Sequence, residues 1–191
     1  MKSLKIVILA LLLLAVALFG ASYQLPLQVE VEQSIVLAAK PEQVYPYIEN
    51  PTLWEKWNAV NTATDPSMIR LYSGPMTGTG ARMQWNGDRV GKGEVVFLES
   101  ISPKQLTYKQ TESKATGNIE ASIKLEPVDG GTRINWRLVS PVEDNPVARW
   151  LGVWQKFKKH EELEKGLYGL KTLLEDNAVK TLGSKRIANR D

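Results

Sequence analysis

The spacing of apolar residues changes character along this chain: an unbroken run, then alternation, then a helical stripe. Residues 6–19 are 14 consecutive apolar positions behind Lys2 and Lys5. As the core of a signal peptide that length fits, and Gly20, Ala21 and Ser22 supply small residues before Tyr23. As a signal anchor, residues 6–23 give 18 uncharged positions, which at ~1.5 Å rise each span about 27 Å, enough for a bilayer core. Tyr23 would then sit at the interface, and Pro26 would end the helix. The anchor is the preferred reading. In both, the basic N-terminus stays in the cytoplasm and the domain is exported. A buried core helix is disfavoured, because the run is apolar on every side.

From residue 28 the period is two. Val29 and Val31 alternate with Glu30 and Glu32, which predicts a first strand over 28–38. Lys40-Pro41-Glu42 opens a short helix through Val44, Tyr47 and Ile48, in which Pro46 removes a hydrogen bond. Asn50-Pro51 opens a second, carrying Leu53, Trp54 and Trp57, and Asp65-Pro66 marks a loop. Further strands are predicted over 68–72, 79–85, 93–99, 105–111, 116–126 and 132–139. Ala81, Met83 and Trp85 share one face, opposite Arg82 and Gln84. Ile119, Ala121, Ile123 and Leu125 oppose Glu120, Ser122 and Lys124, and Ile134, Trp136 and Leu138 oppose Arg133, Asn135 and Arg137. Such alternation means one buried and one wet face. Asn86-Gly87 and Asp129-Gly130-Gly131 predict tight hairpin turns.

Asn145-Pro146 starts a helix, with Asn as cap and Pro at the first position. One apolar stripe runs Val147, Trp150, Leu151, Trp154, Phe157, and a second runs Leu163, Leu167, Leu170, Leu174. At ~100° per residue the two differ by about half a turn. A single straight helix would face apolar surface in two directions, so the expectation is a break near residues 158–160 and a longer helix from Glu161. The order of strand, two short helices, antiparallel strands and long helix predicts an α+β fold in which the helix covers the apolar face of one curved sheet. The space between them must hold large side chains or a ligand.

Composition narrows this little. The 191 residues, 43% hydrophobic, suit one domain with a core. Without cysteine there is no disulfide and no Cys-ligated metal. Past the leader, residues 26–191 carry 22 basic and 21 acidic side chains, so no nucleic-acid footprint is expected.

Several stretches, in order, resemble one family. Residues 34–45, Ser-Ile-Val-Leu-Ala-Ala-Lys-Pro-Glu-Gln-Val-Tyr, are similar to the strand and Ala-Pro-Glu-x-Val helix that open START-like proteins of the SRPBCC superfamily, the polyketide cyclase/dehydrase and lipid-transport group. Trp54-Glu55-Lys56-Trp57 resembles that group's W-x-x-W, and Val90-Gly91-Lys92-Gly93 its hairpin-return glycines. Gly131-Thr132-Arg133-Ile134-Asn135-Trp136 resembles its G-T-x-[VI]-x-W strand, and residues 165–171 the start of its final helix. The likeness covers about 29–176. It implies the helix-grip fold, with a hydrophobic cavity between a curved antiparallel sheet and the long C-terminal helix. It implies no single activity, since members include lipid carriers, hormone receptors, ring hydroxylase subunits and cyclases.

The expected organisation is a signal anchor or signal peptide over 1–25, a START-like domain over 26–176 and a polar, basic, fraying tail over 177–191. Met83, Trp85, Phe97, Tyr108, Trp136, Trp154 and Phe157 are the candidate cavity lining for an apolar ligand, each with the alternative of plain core. Arg70 is the candidate polar contact, because it shares a face with Met68 and Tyr72; Arg82 and Arg137 fall on the wet face. Trp54 and Trp57 read as structural. His160 is the only histidine and is expected to be exposed, which leaves no catalytic triad and no His-based zinc site. Glu161, Glu162 and Glu164 read as a solvated face. Lys156, Lys158 and Lys159 read the same way, with contact to anionic lipid as the alternative. Residues 74–80 read as a flexible turn at the cavity mouth, not a phosphate loop, because a strand follows. No catalytic residue, metal or cofactor is assigned. The expected function is a membrane-tethered binding domain for a small hydrophobic or lipid-like ligand, held by residues 6–23 as a single-pass protein of the cell (inner) membrane with its domain in the periplasm or outside. The alternatives are a cyclase/dehydratase-type enzyme using Tyr108 or Arg70 to polarise a carbonyl, or a tethered interaction domain with a filled core.

Overall fold

The computed structural model describes residues 2–113 and 117–188, with side chains at 3–113 and 117–179. Thr116, the expected start of a strand, and Arg190 in the expected tail lie outside the described residues. An apolar helix α1 (Lys2–Ser22) leads into β1 (Gln28–Leu37), α2 (Pro41–Glu49) and a 3₁₀ helix (Pro51–Lys56). Six strands follow: β2 (Ile69–Ser73), β3 (Arg82–Gly87), β4 (Gly91–Ile101), β5 (Gln105–Glu112), β6 (Ile119–Val128) and β7 (Gly131–Pro141). The chain then enters α3 (Pro146–Ala188). All seven strands form one antiparallel sheet in the order β1-β7-β6-β5-β4-β3-β2. The strands from β2 to β7 run as a meander, and β1 closes its far edge against β7.

The alternating residues meet their expected faces. Ile119, Ala121, Ile123 and Leu125 on β6, and Ile134, Trp136 and Leu138 on β7, are buried. The helix starts are equally local in origin. The Asn145 side chain accepts from the Ala148 N–H at 2.8 Å, and that of Asn50 accepts from the Thr52 N–H at 2.9 Å.

Three local expectations are corrected. The β3–β4 turn is Asp88-Arg89-Val90, not Asn86-Gly87, which pair with Lys92 and Gly91 inside the ladder. The residue needing a left-handed backbone is Gly91, at φ 70°. The cause lies in the loop before β2, where buried Asp65 accepts the Arg89 and Val90 N–H groups at 2.7 and 3.0 Å. Second, β3 begins at Arg82 rather than residue 79, because Gly78 and Gly80 take positive φ. The 74–80 turn packs on the end of α2, the Gly78 N–H donating to the Glu49 carbonyl at 3.0 Å. Third, α3 has no break at 158–160 and does not end near Asp176.

Asp65 also accepts the Ser67 hydroxyl at 2.6 Å. That bond, with those from the Val90 and Arg89 amides, holds its carboxyl down to about 2. A depressed carboxyl stabilises the fold above its ordinary value of 3.8, and the contribution fades as pH falls toward about 2. Asp65→Asn is therefore expected to unfold at lower urea than the parent at pH 7, with the gap between the two midpoints closing as pH falls below about 4. A gap independent of pH would contradict the account.

Candidate functional site

The inner face of β5 changes from apolar to polar along its length. Leu106 and Tyr108 are fully buried, and Gln110 and Glu112 follow in the same phase. Opposite them, α3 presents Lys159, Glu162 and Leu163, with Lys159 and Glu162 half-buried. The Lys159 ammonium donates to Glu112 at 2.5 Å and to Glu162 at 2.9 Å. Burial alone would lower the Lys159 pKa, but the Glu162 and Glu112 carboxylates outweigh it and raise the pKa above its ordinary value. Deeper along β5, the Tyr108 hydroxyl accepts the Trp136 indole N–H from β7 at 2.9 Å. Burial pushes that phenol far up, against the smaller opposing effect of the Trp136 bond.

Between this cluster and the 3₁₀ helix lies a void of about 30 Å³, lined by Trp54, Met83, Trp85, Tyr108, Trp136 and Lys159 among others. A water needs about 10–15 Å³, so it holds no more than solvent as it stands. Aromatic rings occupy the rest of the interior: Trp54 lies 5.4, 5.3 and 5.2 Å from the rings of Trp57, Phe97 and Tyr108. Both tryptophans of the 3₁₀ segment are pinned, Trp54 to the Ile48 carbonyl at 2.8 Å and Trp57 to that of Tyr47 at 3.0 Å. The helix can approach this closely because it carries Gly166 and Gly169. A Cβ on Gly166 would stand 2.7 Å from the Trp136 ring, and one on Gly169 would stand 2.3 Å from the Trp57 carbonyl oxygen.

Trp85 is shared between the void and a surface depression of about 590 Å³ on the β2–β5 side, which Glu112 also lines. Its ring lies across Gly93, where a Cβ would stand 2.1 Å away. A separate groove of about 640 Å³ runs between α2 and the far end of α3. Its two charged side chains, Lys171 and Glu175, face each other at 3.9 Å.

The structure thus gathers Met83, Trp85, Tyr108 and Trp136 at the void, with Phe97 behind them. It separates three others. Trp154 and Phe157 are exposed, because their stripe points away from the sheet. Arg70 is inward but engaged, ion-paired with Glu55 and donating to the Val60 carbonyl at 2.6 Å. It ties β2 to the loop after the 3₁₀ helix and does not line the void. Arg82 and Arg137 are on the wet face, Arg137 paired with Glu30 at 2.6 Å. His160 is exposed beside the Gln33 amide at 2.8 Å. Gln110 and Glu112 carry no sequence expectation, and Lys159 and Glu162, expected on a solvated face, are instead half-buried and ion-paired. The signal for the first two was present, since continuing the Leu106, Tyr108 phase by twos reaches both. Lys159 and Glu162 fall in phase with Leu163 and Leu167 once α3 is read without a break.

The family profile described as "Polyketide cyclase / dehydrase and lipid transport" matches residues 28–175, from the first strand to the sheet-covering part of α3. The chain belongs to this family. An uncharacterized protein of Mycobacterium tuberculosis is 22% identical over 105 residues, 55% of this chain. The match spans 61% of that relative's own length. A Staphylococcus aureus protein of unknown function superposes at TM-score 0.64 with 16% identity, covering 79% of this chain and 96% of that one. The di-domain ARO/CYC StfQ from the steffimycin biosynthetic pathway superposes at 0.62 with 14% identity, over 80% of this chain and 52% of its own. At such identities the structures share the helix-grip architecture and nothing more is carried over.

Proposed function

We propose that this chain is a membrane-tethered binding domain for a small apolar or amphipathic molecule carrying a polar group, taken up between the sheet and α3 at the Lys159 end. The observation that carries this reading is the ionic cluster of Lys159, Glu112 and Glu162 beside the Tyr108 hydroxyl, set at the edge of an aromatic interior. Such a cluster adds little to stability compared with apolar side chains of the same size. Perturbed, partly buried ionisable groups in a cleft are candidates for a functional site. The family's lipid-transport members supply the ligand class. Because the void has room for no more than a water or two, the ligand enters by displacing a ring, and Trp85 is the ring between void and depression.

The tether is α1, whose span Ser3–Ser22 is long and apolar enough to cross a membrane. Arg149 supports its retention in the mature protein. Its guanidinium donates to the carbonyls of Ser22, Tyr23 and Leu25 at 3.3, 3.0 and 3.0 Å. A cation at the carbonyls around a helix end suits a helix C-terminus, and cleavage before Tyr23 would remove the Ser22 partner of this buried arginine and the Leu18 partner of Trp150.

Native mass spectrometry of the full chain in nanodiscs, followed by extraction and identification of bound molecules, tests the proposal. A stoichiometric apolar ligand is expected, with retention altered at least several-fold by Trp85→Ala. An apo mass that persists after incubation with membrane lipid extract would overturn it. That outcome favours a tethered interaction domain whose interior is filled by its own aromatics, a reading that the 30 Å³ void supports.

A further inference from the structure

The first three turns of α3 carry an apolar stripe that the packed domain does not use. Val147, Leu151, Trp154 and Phe157 are 69, 51, 55 and 71% exposed. They lie about half a turn from the helix face that meets the sheet, at ~100° per residue. The stripe is bounded, since the next turns of the same face present exposed Glu161, Glu164 and Lys165. Contiguous apolar surface of this kind on a folded protein marks something that covers it.

Its position indicates what does. Trp150, in the same stripe, donates its indole N–H to the Leu18 carbonyl of α1 at 3.2 Å. Leu18 lies four residues before the end of α1 at Ser22, hence about 6 Å inside that end. Arg149 joins the next carbonyls of the same segment and stands over the Tyr23 ring at 5.3 Å. The last turn of the apolar helix and the first turn of the stripe are therefore one packed unit. The Lys158 ammonium lies 4.2 Å over the Trp154 ring, which sets a cation at the edge of the aromatic patch. Indoles flanked by lysine are the side-chain chemistry of the membrane–water interface.

We infer that the outward face of residues 147–158 rests in the interfacial layer of the bilayer that α1 crosses. The domain is then held against lipid at two places instead of swinging on one tether. This rests on α1 being a retained span. The occupant is lipid rather than a second protein because the stripe is continuous with a helix already of membrane length and hydropathy. It also places the Lys159 cluster on the opposite side of the same helix turn, about one helix diameter (~10 Å) from the lipid surface.

The chain has no cysteine, so single nitroxide labels can be placed without removing native thiols. Full-length Leu12→Cys, Trp154→Cys, Phe157→Cys and Glu164→Cys variants are labelled and reconstituted in vesicles of phosphatidylcholine with phosphatidylglycerol. Labels at 154 and 157 are expected to collide more with dissolved oxygen and less with a water-soluble nickel chelate than the label at 164. If the label at 12 reads as hydrocarbon while 154 and 157 match 164, the docking is overturned and the anchor stands. If the label at 12 reads as water or is lost with a cleaved leader, the tether reading fails and takes the docking with it. Labels at 154 and 157 shielded from both reagents, or broadened by a neighbouring spin, would mean that protein covers the face, which also overturns the inference.

Discussion

Replacing Lys159 with Met is expected to destabilise the domain by about 2–3 kcal/mol at pH 7, below the 3–5 typical when one partner of a fully buried pair is removed. Lys159 is the partner of both Glu112 and Glu162, whose side chains are 27 and 39% exposed. Removing it leaves two carboxylates facing each other at the edge of an apolar interior, and their partial exposure sets the discount. The sign with pH follows from the raised lysine. Its contribution is complete below its ordinary value of 10.5 and is lost as pH rises through the higher folded value. The gap between parent and Lys159→Met in urea midpoints should stay flat through neutral pH and close only above about 10.5. Adding Glu112→Gln and Glu162→Gln to Lys159→Met should restore most of the loss, because a neutral cluster leaves no uncompensated charge. That triple variant separates fold from function. If it is stable and still retains the co-purifying molecule, the ionic end of the void is not where a ligand's polar group sits.

Gly169→Ala is expected to lose about 1–3 kcal/mol, although alanine is the better helix former by about 1 kcal/mol. The conflict is decided by geometry. An added Cβ would stand 2.3, 3.1 and 3.2 Å from the carbonyl oxygen, carbonyl carbon and Cα of Trp57. These are backbone atoms at the end of the 3₁₀ helix, and they cannot rotate away as a side chain could. Either α3 lifts or the segment bearing Trp54 and Trp57 shifts, and both loosen the aromatic cluster. Thr172→Ala, on an exposed turn of the same helix, should be neutral or slightly stabilising and controls for propensity. Thermal unfolding of both variants checks this, and a rise in melting temperature for Gly169→Ala would show that the helix does not need this close approach.

The separation of the predicted site residues follows one physical rule. Where two-residue alternation was clean, as at Ile119–Leu125 and Ile134–Leu138, side-chain direction is a local property of the strand, and the faces could be read directly. The stripe Val147, Trp150, Leu151, Trp154, Phe157 was equally legible as a stripe. What it could not carry was its target. An apolar helix face need not seek the protein core: Trp154 and Phe157, expected in a cavity, face outward from an unbroken α3. The helix is continuous and faces two ways. Arg70 is a different case: its inward direction is a local property of the strand, but its Glu55 and Val60 partners come from 10–15 residues away through a loop.

Local chemistry in the sequence determined the element order, the helix starts at Asn50 and Asn145, the buried faces of β3, β6 and β7, the apolar leader and the resemblance to the family. These depend on period, capping and composition within a few residues. The tertiary structure alone decided how much room is left between sheet and helix, because that volume depends on how Trp54, Trp57, Phe97 and Tyr108 interlock from separate elements. It alone decided that Asp65 shapes a hairpin more than 20 residues on, and that Lys159 joins Glu112 from 47 residues away. Such pairings depend on which segments the fold brings side by side, and no spacing along the chain encodes them.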